Sequence, residues 1–181
     1  MAVAGETITH PLSGERITFV RTSAETDGAL AEMDFFLPAG MTPCPEHVHP
    51  QSTERVTVRS GEVRAMMNGR LYTVRAGESL EVPPGTWHTW VPVGDVRLTA
   101  TVTPAMRMDD FLIDLFAIAE AGEVDAQGVP HLLPLMVLLD DYPDTCYLAE
   151  PSAGPRKDTI RTLACSARLH GYGCKRVAAA A

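Results

Sequence analysis

Cysteine is scarce here and unpatterned. Cys44, Cys146, Cys165 and Cys174 include no Cys-x-x-Cys pair, and their spacings suggest no disulfide framework. Free thiols in a cytoplasmic protein are the expectation. No apolar run approaches about 18 residues, the length a spanning helix needs, so no membrane span is expected. The opening residues, MAVAGETITHPLSGER, have neither a basic leader nor an apolar core, so no secretory signal is expected either. Basic excess is missing too. The formal net charge is −8, which argues against nonspecific nucleic-acid binding, since that needs a basic face. What remains is ordinary for a globular protein: 45% hydrophobic and 21% charged residues over 181 positions, enough for one domain with a good core.

The first hundred residues are a series of short β-branched runs punctuated by turn signals about every 6 to 12 residues. Strands are expected at Glu6–Thr9, Glu15–Arg21, Ala29–Leu37, Glu54–Arg59, Val63–Met67, Leu71–Arg75, Ser79–Val82, Thr86–Val91 and Val96–Thr103. Asn68-Gly69 between two such runs predicts a type I′ hairpin. Gly61-Glu62 reads as a tight turn, and Val93-Gly94-Asp95 as the close of another hairpin. Pro92 is expected to end its strand early. His10, beside Pro11, is expected to be exposed.

The chemistry is concentrated in two stretches, Gly40–Gly61 and Gly77–Pro92. His47 and His49 are two residues apart. On a strand that spacing points both to one face, whereas on a helix it would splay them by roughly 200°. Pro43, Pro45 and Pro50 exclude a helix interior. Glu54 shares its face with the apolar Val56 and Val58, so it points inward and needs a partner there: a divalent cation, or Arg64 or another interior cation. His88 shares a face with Trp90. Three imidazoles and one carboxylate suit Fe, Mn, Ni, Cu or Zn better than Ca or Mg. Four protein ligands leave an octahedral ion about two open positions. Cys44, three residues before His47, reads as a buried or loop thiol, with a thiol at a cavity mouth as the sharper alternative.

A lone His-x-His is weak evidence. The joint pattern is much more specific, and it resembles the cupin superfamily. The first cupin motif is G-x5-H-x-H-x(3,4)-E-x6-G, matched by His47-x-His49-x4-Glu54-x6-Gly61. The second is G-x5-P-x-G-x2-H-x3-N, matched by Gly77-x5-Pro83-x-Gly85-x2-His88. Gly40 lies one residue too far upstream, and Pro92 replaces the terminal Asn. Neither departure touches a ligand position. The resemblance implies a mainly β fold, a jelly-roll barrel of two antiparallel sheets, over residues 1–105. It implies one divalent transition metal ion held by His47, His49, Glu54 and His88, with Fe or Mn favoured and Zn, Ni or Cu as alternatives. Trp90, Val56, Val58, Met67 and Tyr72 are the candidate lining of a substrate pocket, and Trp90 has the strongest claim as a flat apolar wall.

Residues 106–181 change character and are expected to form a helical C-terminal extension packed on the barrel, not a separate domain. Asp109-Asp110 opens a helix with the stripe Phe111, Leu112, Leu115, Phe116, Ala119, ended by Gly122. Pro130 starts a second helix over His131–Leu139, and a third spans Lys157–Leu169. Pro151–Pro155 reads as a linker and Lys175–Ala181 as a frayed end. The tail resembles that of many small bacterial cupins, at Gly128–Pro134 and His170-Gly171-Tyr172. His131 and His170 are expected to be structural or surface residues. The resemblance implies a metal-dependent enzyme acting on a small organic molecule, with an Fe(II) or Mn(II) oxygenase of dioxygenase type first. A redox-neutral lyase, isomerase or cyclase comes next, and a noncatalytic binding module is the alternative of another class. A homodimer is expected by the same analogy.

Overall fold

Asn68 and Gly69 both have positive φ, 46° and 77°, and they join β5 (Thr53–Met67) to β6 (Arg70–Arg75) by the two-residue hairpin that Asn-Gly predicts. The computed structural model describes residues 1–148 and 157–173. The linker expected at Pro151–Pro155, the frayed end at Lys175–Ala181, and Cys174 lie outside the described residues.

Before that hairpin come β1 (Thr7–Thr9), β2 (Arg16–Arg21), β3 (Ala31–Leu37) and β4 (His47–Val48). After it come β7 (Ser79–Val82) and β8 (His88–Thr103), then α1 (Met108–Glu120), α2 (Leu132–Asp141), the short β9 (Tyr147–Leu148) and α3 (Lys157–Leu169). Every pairing is antiparallel, in the path β1-β2-β3-β8-β4-β9, with β5 joined to β6, β7 and β8. This is a cupin jelly roll followed by three helices.

The turn signals at Gly61-Glu62 and Val93-Gly94-Asp95 do not end strands. Both lie inside long strands, β5 of 15 residues and β8 of 16, which pair from end to end. Register shifts between Val58 and Ser60, and between Ser60 and Glu62, mark a bulged corner. Gly61 is required there: at φ +83° a Cβ would stand 2.5 Å from the Asp95 carbonyl oxygen. The glycines therefore bend two continuous strands from one sheet into the other. Pro92 does not end its strand. It sits opposite Val63, in a half of β8 that has a strand neighbour along one flank only, where a missing N–H is tolerated. Ala29 and Leu30 precede β3, and Thr86 and Trp87 precede β8, so those two strands start later than their β-rich sequences suggest.

The alternation works as the pattern requires. Val56, Val58, Val96, Leu98 and Ala100 face inward and are buried with Val63, Ala65 and Trp90 in the barrel core. A second cluster continues it. Ile17, Phe19, Ala31 and Met33, on the inner face of β2 and β3, pack against Phe111 and Phe116 of α1 and Met136, Leu138 and Leu139 of α2. Each fully buried side chain of this size contributes about 1.5–3 kcal/mol. The helices thus extend the barrel's own core. In α3, Ile160, Ala164 and Ala167 are buried on one face with Leu163 partly so, the face its spacing predicts.

His10 is buried, contrary to expectation. Its Nδ1 accepts from the main-chain N–H of Leu12 and Ser13 at 3.3 and 3.2 Å, and its ring meets Phe116 edge-on at 5.3 Å. Gly128 lies against the other side, where a Cβ would come within 2.9 Å of the ring. Burial lowers the His10 pKa, offset in part by a hydrogen bond with the Gly128 backbone. The imidazole therefore ties the N-terminal turn to α1 and to the loop before α2. His131 and His170 are exposed, as expected.

Candidate metal centre

Three short pieces of backbone bring the site together. β4 carries His47 and leads directly into His49, β5 opens on Glu54, and β8 opens on His88. His47 pairs with His88 across β4 and β8. Glu54 reaches His88 differently. It pairs with Val102 in one half of the β5–β8 ribbon, while His88 pairs with Met67 in the other half. The bulged corner folds the two halves over each other, so both side chains meet inside the barrel. The His47 ring centroid lies 4.9 Å from that of His49 and 4.2 Å from that of His88, and His49 and His88 are 5.3 Å apart. One ligand atom from each of His47, His49, Glu54 and His88 lies within 4.8 Å of the others, and all four residues are buried.

The hydrogen bonds leave the metal-facing nitrogens bare. Nδ1 of His47 meets the Pro45 carbonyl, Nδ1 of His49 the Thr145 carbonyl, and Nδ1 of His88 the Thr86 carbonyl, each at 2.9 Å. A carbonyl only accepts, so each Nδ1 must donate, and in a neutral imidazole Nε2 then carries a lone pair. His88 Nε2 lies 2.9 Å from Glu54 Oε2. A lone pair facing a carboxylate at that distance is repulsive unless a cation stands between them, either a second ring proton or a metal ion. The spacing suits either: it is an ordinary N–H···O distance, and two metal bonds of about 2.1 Å at right angles also place their ligand atoms about 3 Å apart. The donor set therefore fits a divalent transition metal, with every histidine oriented through its other nitrogen.

Electrostatics agree. Burial raises the Glu54 pKa, but in the metal-free site a hydrogen bond from a doubly protonated His88 and the positive charge of the surrounding imidazoles outweigh it and hold the carboxyl down at about 2, the part a metal ion would otherwise play. Burial also dominates His49, pushing it down to about 4 against the pull of Glu54. The resting pattern is thus an ionised carboxylate beside a neutral His49, the protonation states that metal ligation needs. Arg64 does not supply the counter-charge: it is mostly exposed and lies 3.9 Å from Glu62.

Of the expected pocket residues, Trp90 has a definite part. Its indole N–H donates to Glu54 Oε2 at 3.1 Å, so it orients that carboxylate. Val56 and Val58 are buried and serve the barrel core. Met67 and Tyr72 are half-buried against the same core, with the Arg70 guanidinium 5.2 Å above the Tyr72 ring. Cys44 is exposed, its Sγ 3.6 Å from His47 Nδ1, and its carbonyl accepts from the Thr89 hydroxyl.

Two contributors were not legible in the sequence. Thr145, in the helical extension, supplies the carbonyl that fixes His49, and no local pattern signals a contact across 96 residues. Glu15 continues the inner-face alternation of Ile17 and Phe19. Burial pushes its carboxyl up to about 7, and its charge acts on the Cys44 thiol. A rule that a carboxylate in phase with core residues is unusual could have found it.

The Cupin domain model matches residues 34–103. No curated protein matches the chain. Among solved structures, KdgF from Halomonas sp. is similar at 16% identity, over 57% of this chain and 91% of that one, with a TM-score of 0.50. A RmlC-like cupin from Shewanella frigidimarina is similar at 22% identity, over 56% of this chain and 85% of that one, with a TM-score of 0.48. At these identities the likeness is one of fold. The domain match, the antiparallel jelly roll and the His47-x-His49…Glu54…His88 cluster agree, and residues 34–103 of this chain are a cupin domain.

Proposed function

We propose that this protein is a metal-dependent enzyme that acts on a small organic molecule, with O₂ chemistry at Fe(II) or Mn(II) as the leading form. The observation that carries the reading is the convergence of three Nε2 lone pairs and one ionised carboxylate in a buried site. When bound, the ion supplies Lewis acidity and a template for O₂ and substrate at its open positions. The chain does the rest. Main-chain carbonyls orient the imidazoles of His47, His49 and His88 through Nδ1. Glu54 supplies the negative charge. Trp90 fixes which carboxylate oxygen faces His88, and the apolar walls of the barrel keep bulk water from the site.

A second reading, a redox-neutral lyase, isomerase or cyclase, is favoured by Glu15. A carboxyl with a pKa near 7, in electrostatic reach of Cys44, is tuned for proton transfer at neutral pH. The proposal includes a homodimer. Two copies would meet through the outer face of β2, β3 and β8, where Arg16 and Arg97 stack on Phe36 at 4.3 and 5.2 Å beside Glu32 and Asp34. Sedimentation equilibrium reads that state directly.

The deciding experiment is metal analysis of tag-free protein purified without oxygen, followed by O₂-uptake assays against a metabolite panel. About one equivalent of iron or manganese with metal-dependent O₂ uptake is the expected result. Zinc or nickel, with turnover but no O₂ uptake, selects the redox-neutral reading. No metal bound and none taken up on titration overturns both.

A further inference from the structure

The ligand-bearing strand β4 is only two residues long, and the barrel gives it a single paired position, His47 opposite His88. The helical extension gives it two: His47 opposite Leu148 and Val48 opposite Tyr147 of β9. The same segment supplies the Thr145 carbonyl that receives His49 Nδ1–H. Thr145 is itself pinned. Its hydroxyl donates to the Met106 carbonyl at 2.7 Å, and its N–H donates to the Tyr142 carbonyl at 3.1 Å. Tyr142 in turn donates its hydroxyl to Asp114 of α1 at 2.6 Å and lies beneath the Arg107 guanidinium at 4.5 Å. A continuous chain of contacts thus runs from α1 through residues 142–148 to His49 and His47. The extension holds His47–His49 at three points, beside the barrel's His47–His88 pairing and the Gly85 N–H that donates to the His49 carbonyl at 2.9 Å.

We propose that residues 142–148 form a strap that sets His47 and His49 in their ligating pose, with Thr145 as its central positioning residue. This rests on the metal-centre reading above. Metal loading and docking of the helical extension are then one coupled equilibrium. Whatever loosens the strap weakens metal binding, and by reciprocity metal tightens the strap. Thr145 acts through His49 and touches neither metal nor substrate. Losing a group that orients a ligand costs about 10- to 100-fold in metal affinity.

The test uses the full-length chain and Mn²⁺ or Zn²⁺ as the probe. Thr145→Val keeps the shape and removes the hydroxyl that anchors the carbonyl; Thr145→Ser restores it. Thr162→Val removes a comparable hydroxyl bond on the exposed face of α3, from Thr162 to the Asp158 carbonyl, and serves as the control. Affinity is read by competition with a chromophoric chelator, and amide hydrogen exchange at residues 145–148 is read with and without metal. The expected result is about 10-fold weaker binding in Thr145→Val, affinity within about 3-fold of wild type in Thr145→Ser and Thr162→Val, and slower exchange at 145–148 when wild type is loaded. Wild-type metal affinity in Thr145→Val, or exchange at 145–148 that ignores metal, overturns the strap and leaves the metal centre standing. Failure of wild type to bind metal at all removes both. If Thr145→Val does not fold, the exchange measurement on wild type decides alone.

Discussion

Replacing Glu54 by glutamine isolates the charge from the shape. The side chain keeps its volume and an oxygen able to accept from Trp90 Nε1, so no cavity opens in the barrel. The anionic ligand beside His88 Nε2 is lost. Partners that merely orient a ligand are worth about 10- to 100-fold in metal affinity, so the ligand itself should cost at least about 100-fold, or about 2.7 kcal/mol. Thermal unfolding reads this directly. At a metal concentration of about 100 times the wild-type Kd, metal adds about 2.7 kcal/mol to wild type. The same concentration about equals the variant's Kd and adds only about 0.4 kcal/mol. For a chain of this size 1 kcal/mol moves Tm by about 2–4 °C. The metal-induced rise should therefore fall from about 5–11 °C to about 1–2 °C. The comparison is made within each protein, because the ionised Glu54 also supports the metal-free fold. A variant that keeps the full wild-type rise refutes the four-ligand assignment.

Three further predictions follow from particular residues. Gly61→Ala should destabilise the fold by about 2–4 kcal/mol in urea unfolding, since it combines positive φ with a Cβ 2.5 Å from the Asp95 oxygen; a loss below about 1 kcal/mol would mean the corner can relax. Metal-free protein should lose stability in acid. His49 takes up no proton in the native state until about pH 4, whereas the unfolded chain binds one from about pH 6.5, so stability falls as pH drops through that window, by on the order of 2–3 kcal/mol. Glu54 extends the loss, because its contribution is complete above pH 4.5 and disappears towards pH 2; both are read in the Glu15→Gln variant, since Glu15 gains stability over the same range, and a profile there that stays flat from pH 7 to 4 contradicts the His49 part while one flat from pH 4.5 to 2 contradicts the Glu54 part. Glu15 has the opposite sign. Its native carboxyl holds a proton to about pH 7 and its unfolded one only to about 4.5, so its contribution is full in acid and lost as pH rises through 7. Glu15→Gln should match wild type at pH 4 and exceed it by on the order of 1–3 kcal/mol at pH 8, measured by chemical denaturation.

The sequence by itself determined the local rules. Alternation put Val56 and Val58 inside, Asn68-Gly69 could only be a hairpin, and the spacing of Ile160, Ala164 and Ala167 defined the buried side of α3. These outcomes depend on the side-chain period of one element, which a sequence displays directly. The four residues of the buried cluster were legible for a related reason, since their spacings repeat a motif. Gly61 and Gly94 misled because positive φ serves a turn and a bulge equally well, and only pairing between β5 and β8 selects the bulge. His10 misled because burial depends on Phe116 and Gly128, more than a hundred residues away. Tertiary structure alone decided that Glu54 and His88, on opposite halves of a bent ribbon, meet at 2.9 Å, and that the extension reaches back through Thr145 to hold His49. Such contacts join groups with no shared periodicity. They exist only because packing of two cores fixes the backbone that carries them.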